Sequence, residues 1–79
     1  MCRTPYEVAR LAYELGRSVR ALREERGWSQ SELARGAGMT QSAVARFEAG
    51  GTVPTLAVLD RLARALGAEL VVKLRSPAA

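Results

Sequence analysis

The sequence predicts an all-α bundle of about four to five helices, closed by a single C-terminal strand. Three observations carry this expectation. Apolar residues recur at three- and four-residue spacing along successive stretches, and each of those stretches opens on a serine or threonine. Glycines stand where the stretches stop, and only the last segment switches to a period of two.

The first helix starts at Thr4-Pro5-Tyr6-Glu7, a capping box with proline at the first helical position, where its missing N–H is not needed. Val8, Leu11, Ala12, Leu15, Val19 and Leu22 keep one apolar stripe as far as Gly27, which predicts a helix over 4–26 and allows a bend at Gly16. Glu7 with Arg10 and Glu14 with Arg17 are three apart, a spacing that allows solvated pairs worth only ~0.2–0.5 kcal/mol each. Tyr6, Val8, Leu11 and Tyr13 leave apolar surface on the first half of this helix. That surface is expected to meet a partner or a second subunit, or to pack on the chain's own last helix and tail.

Two short helices follow over 29–49. Ser29 with Glu32 is a second capping box, Leu33 and Ala34 give a buried face, and Gly38 sits where a chain leaving a helix needs a positive φ. Thr40 caps the next helix, and Val44 and Phe47 hold it on the core. This is a helix-turn-helix. Thr55 then caps a helix over 55–66 whose Leu56, Leu59, Leu62, Ala63 and Leu66 face inward, with Gly67 as its stop. Over 69–75 the pattern alternates, with Leu70, Val72 and Leu74 on one side. Nothing else in the chain reads as a strand, so the expected partner is the same strand of a two-fold-related subunit, and the expected state is a homodimer.

With Val44 and Phe47 inward, the second helix of the motif turns Ser42, Ala45, Arg46 and Ala49 outward, with Gln41 on the flank near its start. Short alanines let such a helix enter a major groove, while Gln and Arg have the geometry for paired contacts to adenine and guanine. A solvated Arg35 on the preceding helix could add a phosphate contact. The charge balance agrees with a nucleic-acid partner: the 79 residues carry a net charge of +4, and eleven of the twelve basic residues are arginine.

Composition excludes other classes. With one cysteine and no histidine, neither an internal disulfide nor a zinc site can be built, and no cofactor is expected. The chain lacks a nucleophile elbow, a phosphate-cradling glycine loop and clustered carboxylates, so no enzyme is expected. No apolar run approaches the ~20 residues of a membrane span and no signal-peptide core stands at the start, which predicts a cytoplasmic protein and no membrane partner.

From Leu15 to Leu66 the chain resembles the Cro and phage-repressor-like (XRE) helix-turn-helix domains, a lambda-repressor-like fold. The resemblance rests on Arg23, Gly27, Ser29-Gln30, Leu33-Ala34, Gly38, Thr40-Gln41, Phe47-Glu48, Gly50 and Pro54. The Gly27–Ala34 run, the Leu66-Gly-Ala-Glu-Leu70 ending and the N-terminal helical extension are most similar to small antitoxins of the HigA and HipB type. The resemblance implies base contacts from Gln41, Ser42 and Arg46, with Ala43 against a thymine methyl or the backbone beside it. It implies phosphate contacts from Gln30, Thr40 and the Gly51-Thr52 loop, and an Arg23–Glu48 ion pair that is structural first, with Arg23 also able to face a phosphate. The implied function is that of a transcriptional repressor on a palindromic operator, with a toxin protein as further partner. A stand-alone regulator, or an adaptor that has lost DNA binding, is the alternative.

Overall fold

The computed structural model describes residues 4–76. Helix α1 spans Pro5–Glu25, α2 Gln30–Ala37, α3 Gln41–Glu48 and α4 Leu56–Ala65. Every helix begins on a hydroxyl cap, as the sequence predicts: Thr4, Ser29, Thr40 and Thr55 each accept the N–H three residues on. The capping boxes at Thr4/Glu7 and Ser29/Glu32 are both complete. Each helix also ends the same way, on a glycine with φ between 67° and 78°. At Gly38 the next N–H, that of Met39, reaches back 2.8 Å to the Ala34 carbonyl, which closes α2 and aims the chain into α3 within two residues.

The core forms where α3 packs on α1 and α2, and α4 on α2. Phe47, Leu33, Val44, Leu62 and Leu66 are fully buried, with Val19, Ala34 and Ala37 closing around them. Leu56 departs from expectation: it is 62% exposed, and the inward face of α4 begins at Val58 and Leu59, which pack against the core.

At Gly16, where the sequence allows a bend, α1 runs on as one uninterrupted helix. This glycine is buried for another reason. A Cβ there would run into the Phe47 carbonyl oxygen and lie 2.9 Å from that of Glu48, so Gly16 is the gap through which the last turn of α3 touches α1.

The expected three-apart ion pairs are also replaced. Glu7 bonds the Thr4 N–H of its own cap, and Glu14 pairs with Arg10, four residues back, at 3.3 Å. A cap holds its carboxylate in fixed geometry, whereas a solvated pair must order two long side chains.

The expected dimer strand is absent from the single chain: residues 69–75 form no ladder, and the described residues contain no strand. A period-two pattern can shape an extended segment but cannot supply the backbone groups of a partner. Of the expected stripe, only Leu70 turns inward, into a recess of about 150 Å³ between α1 and α4 lined by Leu15, Val19, Leu59 and Leu66. Val72 and Leu74 are exposed. No helix of the described residues is long and apolar enough to cross a membrane.

Candidate nucleic-acid interface

Glu48, at the end of α3, is 4% exposed, and Arg23, near the end of α1, is 9% exposed. Their carboxylate and guanidinium meet in a two-pronged pair, Nε to Oε2 at 2.7 Å and Nη2 to Oε1 at 3.0 Å. The remaining Arg23 nitrogen, Nη1, donates to the Trp28 carbonyl at 2.7 Å, which ties α1 to the entry of α2. Glu48 holds the Arg23 pKa above its ordinary value despite the opposing effect of burial. Among the described residues no buried side-chain polar atom lacks a partner. The pair is thus a satisfied clamp at the root of the motif, and its burial turns Arg23 away from solvent.

The clamp continues to the surface. Gln30, at the start of α2, donates from Nε2 to Glu48 Oε1 at 3.1 Å, and its own Oε1 accepts from Gln41 Nε2 at 2.7 Å. Gln41 is the first residue of α3. Its amide therefore hangs on a line of hydrogen bonds that ends on a buried charge, and it keeps Oε1 and one N–H free. A side chain so held meets an outside donor–acceptor pair with little rotamer freedom left to lose.

Around Gln41 lie the other expected contact residues. Ser42, Arg46 and Ala49 are exposed on the same face, while Ala43 and Ala45 are half-buried. The Thr40 hydroxyl accepts the Ala43 N–H at 3.1 Å as the cap of α3, and its own proton stays free to donate. The Gly51 N–H is used internally, closing α3 by a 2.9 Å bond to the Arg46 carbonyl. The N–H and hydroxyl of Thr52 have no hydrogen-bond partner among the described residues and are the open donors of that loop. Beside it, Met39, Ala43, Arg46, Phe47, Val53 and Val58 line a shallow, mostly apolar recess of about 300 Å³.

One residue the sequence reading missed is Arg61. From α4 it donates through Nε to the Ala37 carbonyl at 3.0 Å and through Nη2 to the Gly38 carbonyl, so that it caps the end of α2 at the turn itself. No sequence signal marks it, since an arginine on an exposed helix face has no fixed partner until the fold brings one.

A buried clamp, a tight glycine turn and an exposed short helix with small and polar outward residues define the geometry of a DNA-docking helix-turn-helix. A helix-turn-helix family model matches residues 19–72, and the chain belongs to that family. It is 41% identical over 51 residues to an uncharacterized HTH-type transcriptional regulator of Methanothermobacter thermautotrophicus, covering 65% of this chain and 74% of that protein. Its fold is similar to the crystal structure of the restriction-modification controller protein C.AhdI from Aeromonas hydrophila, with a TM-score of 0.72 and 34% identity over 73% of this chain and 88% of the other. One of the two is named a transcriptional regulator and the other a controller protein. At the level they share, the chain is a helix-turn-helix transcriptional regulator.

Proposed function

We propose that the chain binds DNA sequence-specifically as a homodimer on an inverted repeat and represses transcription there, with α3 in the major groove. The observation that carries this reading is the line from the buried Arg23–Glu48 pair through Gln30 to Gln41, because an amide held on a buried charge meets a base edge with little freedom left to lose. Gln41, Ser42 and Arg46 read base edges, with Ala43 beside a thymine methyl. Thr40, Thr52 and the second Nε2 hydrogen of Gln30 hold phosphates. Two α3 helices about one DNA turn apart, roughly 34 Å, would span the repeat. The dimer contact is placed on the exposed apolar tail Val71, Val72 and Leu74.

Arg46→Ala tests base reading. Against a duplex selected from a random library and its scrambled counterpart, the variant should lose about 1–3 kcal/mol on the selected duplex and much less on the scrambled one. Equal losses on both would place Arg46 on phosphate alone. Equally poor binding of both duplexes by the wild-type protein at low salt would leave the adaptor reading instead.

Two regulatory settings differ only in the partner. The exposed Tyr6 and Leu11 of α1 favour an antitoxin whose first helix masks a toxin. The likeness to a restriction-modification controller favours a regulator without a toxin. Co-expression with the adjacent reading frame separates them: co-purification that Tyr6→Asp with Leu11→Asp abolishes establishes the antitoxin setting, and autorepression without any bound neighbour establishes the other.

A further inference from the structure

The arginines of α1 fall into two groups. Arg10, Arg20 and Arg23 each pair with a carboxylate, that of Glu14, Glu24 or Glu48. Arg17 has no such partner among the described residues, and its guanidinium carbon stands 5.8 Å from the centre of the Tyr13 ring instead. Tyr13 in turn lies directly on the end of α3. A Cβ built on Gly50 would meet the Tyr13 Cα at 3.0 Å and its ring at 3.1 Å, so only glycine lets the loop come this close to α1. Two residues further on stands Thr52, with its free N–H and hydroxyl.

We infer that Arg17 is a DNA-backbone anchor: held over Tyr13 beside the Gly50–Thr52 loop, its guanidinium takes a phosphate next to the one bound by that loop. This extends the interface from the helix-turn-helix onto α1, and it rests on the DNA-binding function proposed above. The chemistry favours a phosphodiester. An aromatic face attracts the cation without accepting its in-plane N–H groups, which stay free for the forked bonding that phosphate oxygens accept. Arg17 also gives up no carboxylate on binding, so its charge displaces a DNA counterion at full value. Arg10 and Arg20, already neutralised by acids, would have to break a pair first.

The test is the salt dependence of DNA binding by the full chain. Affinity for a random-sequence duplex and for a library-selected duplex is measured across a salt series for wild type, Arg17→Gln and Arg64→Gln. Arg64 is paired with Asp60 on the exposed face of α4 and serves as the charge-matched control. Arg17→Gln should lower the slope of log affinity against log salt by about 0.9 on both duplexes, with the same fold loss on each, while Arg64→Gln leaves the slope where it is. If wild type binds with a steep slope and Arg17→Gln matches Arg64→Gln, this inference is overturned alone. If wild type binds neither duplex at low salt, the proposed function fails and takes the inference with it. A loss confined to the selected duplex would make Arg17 a base-reading group and likewise overturn the assignment.

Discussion

Replacing Gly16 with alanine should destabilise the protein, whereas the same replacement at Gly36 should stabilise it. Both glycines lie inside helices, so each substitution gains the helix preference of alanine, about 0.5–1 kcal/mol. Their surroundings differ. At Gly36 a Cβ would sit 3.5 Å from the Ala65 Cβ, an ordinary contact that adds a little packing. At Gly16 it would collide with the Phe47 carbonyl oxygen, and the Glu48 oxygen at 2.9 Å would have to retreat by about 0.5 Å to reach ordinary contact. These are backbone atoms at the closed end of α3, and no side-chain rotation can move them aside. Overpacking of this kind costs about 1–3 kcal/mol and here falls on backbone, so the net loss for Gly16→Ala should be about 1–2 kcal/mol after the helix gain. Urea unfolding read by far-UV circular dichroism gives both values on one scale, and the difference between the variants isolates the contact. Gly16→Ala as stable as Gly36→Ala would mean that α1 and α3 do not approach through this gap. The same variant should also weaken DNA binding, because α3 is what must move.

Glu48→Ala should cost about 3 kcal/mol or more, since it strands the buried Arg23 charge, and it should lower affinity for the selected duplex further by releasing Gln30 and Gln41; calorimetric unfolding and mobility shift measure the two effects. The Glu32 carboxylate accepts the Ser29 backbone N–H at the cap, and that hydrogen bond holds its pKa below the ordinary 4.5. A depressed pKa contributes stability that is complete above 4.5 and is lost as pH falls through the lower folded value, so Glu32→Gln should flatten the acid limb of the stability curve and leave its shape near neutrality unchanged. Thr40→Ala removes the cap of α3 and should cost about 1 kcal/mol in urea, with a further loss on DNA of equal size on every sequence. Deleting Glu69 to Ala79 should shift sedimentation toward monomer and sharply weaken operator binding through lost avidity, and a truncated protein still dimeric at micromolar concentration would move the interface to α1.

The parts of this fold that were legible in the sequence are those written within one turn of chain. A hydroxyl at the start and a glycine at the end act on backbone groups three to five residues away, which is why Thr4, Ser29, Thr40, Thr55 and the Gly38 turn all read correctly. Gly16 signals in the sequence no more than room for a bend, because the cause of its close approach lies on another helix, more than thirty residues along. Arg61 carries no mark in the sequence for the same reason, its partner standing 24 residues away. The tail shows the opposite limit: alternation over 69–75 describes a segment suited to pair, while the pairing itself needs a surface the segment does not contain. Within the candidate site, resemblance rather than spacing supplied the Arg23–Glu48 pair, whose members stand 25 residues apart. The bonds from Glu48 to Gln30 and from Gln30 to Gln41 were not legible at all, because they depend on the rotamers of amides on two different helices.

The double punctuation of α3, a threonine stop before it and a glycine stop after it, separates the spelling of that helix from its length. Between the two marks Val44, Phe47 and Glu48 are committed to the core, while the exposed positions 42, 46 and 49 can be rewritten without moving either boundary. If α3 reads base edges as proposed above, a lineage carrying this chain can change the address it reads in single steps. Each new address would arrive on a helix that already starts, stops and sits where the old one did.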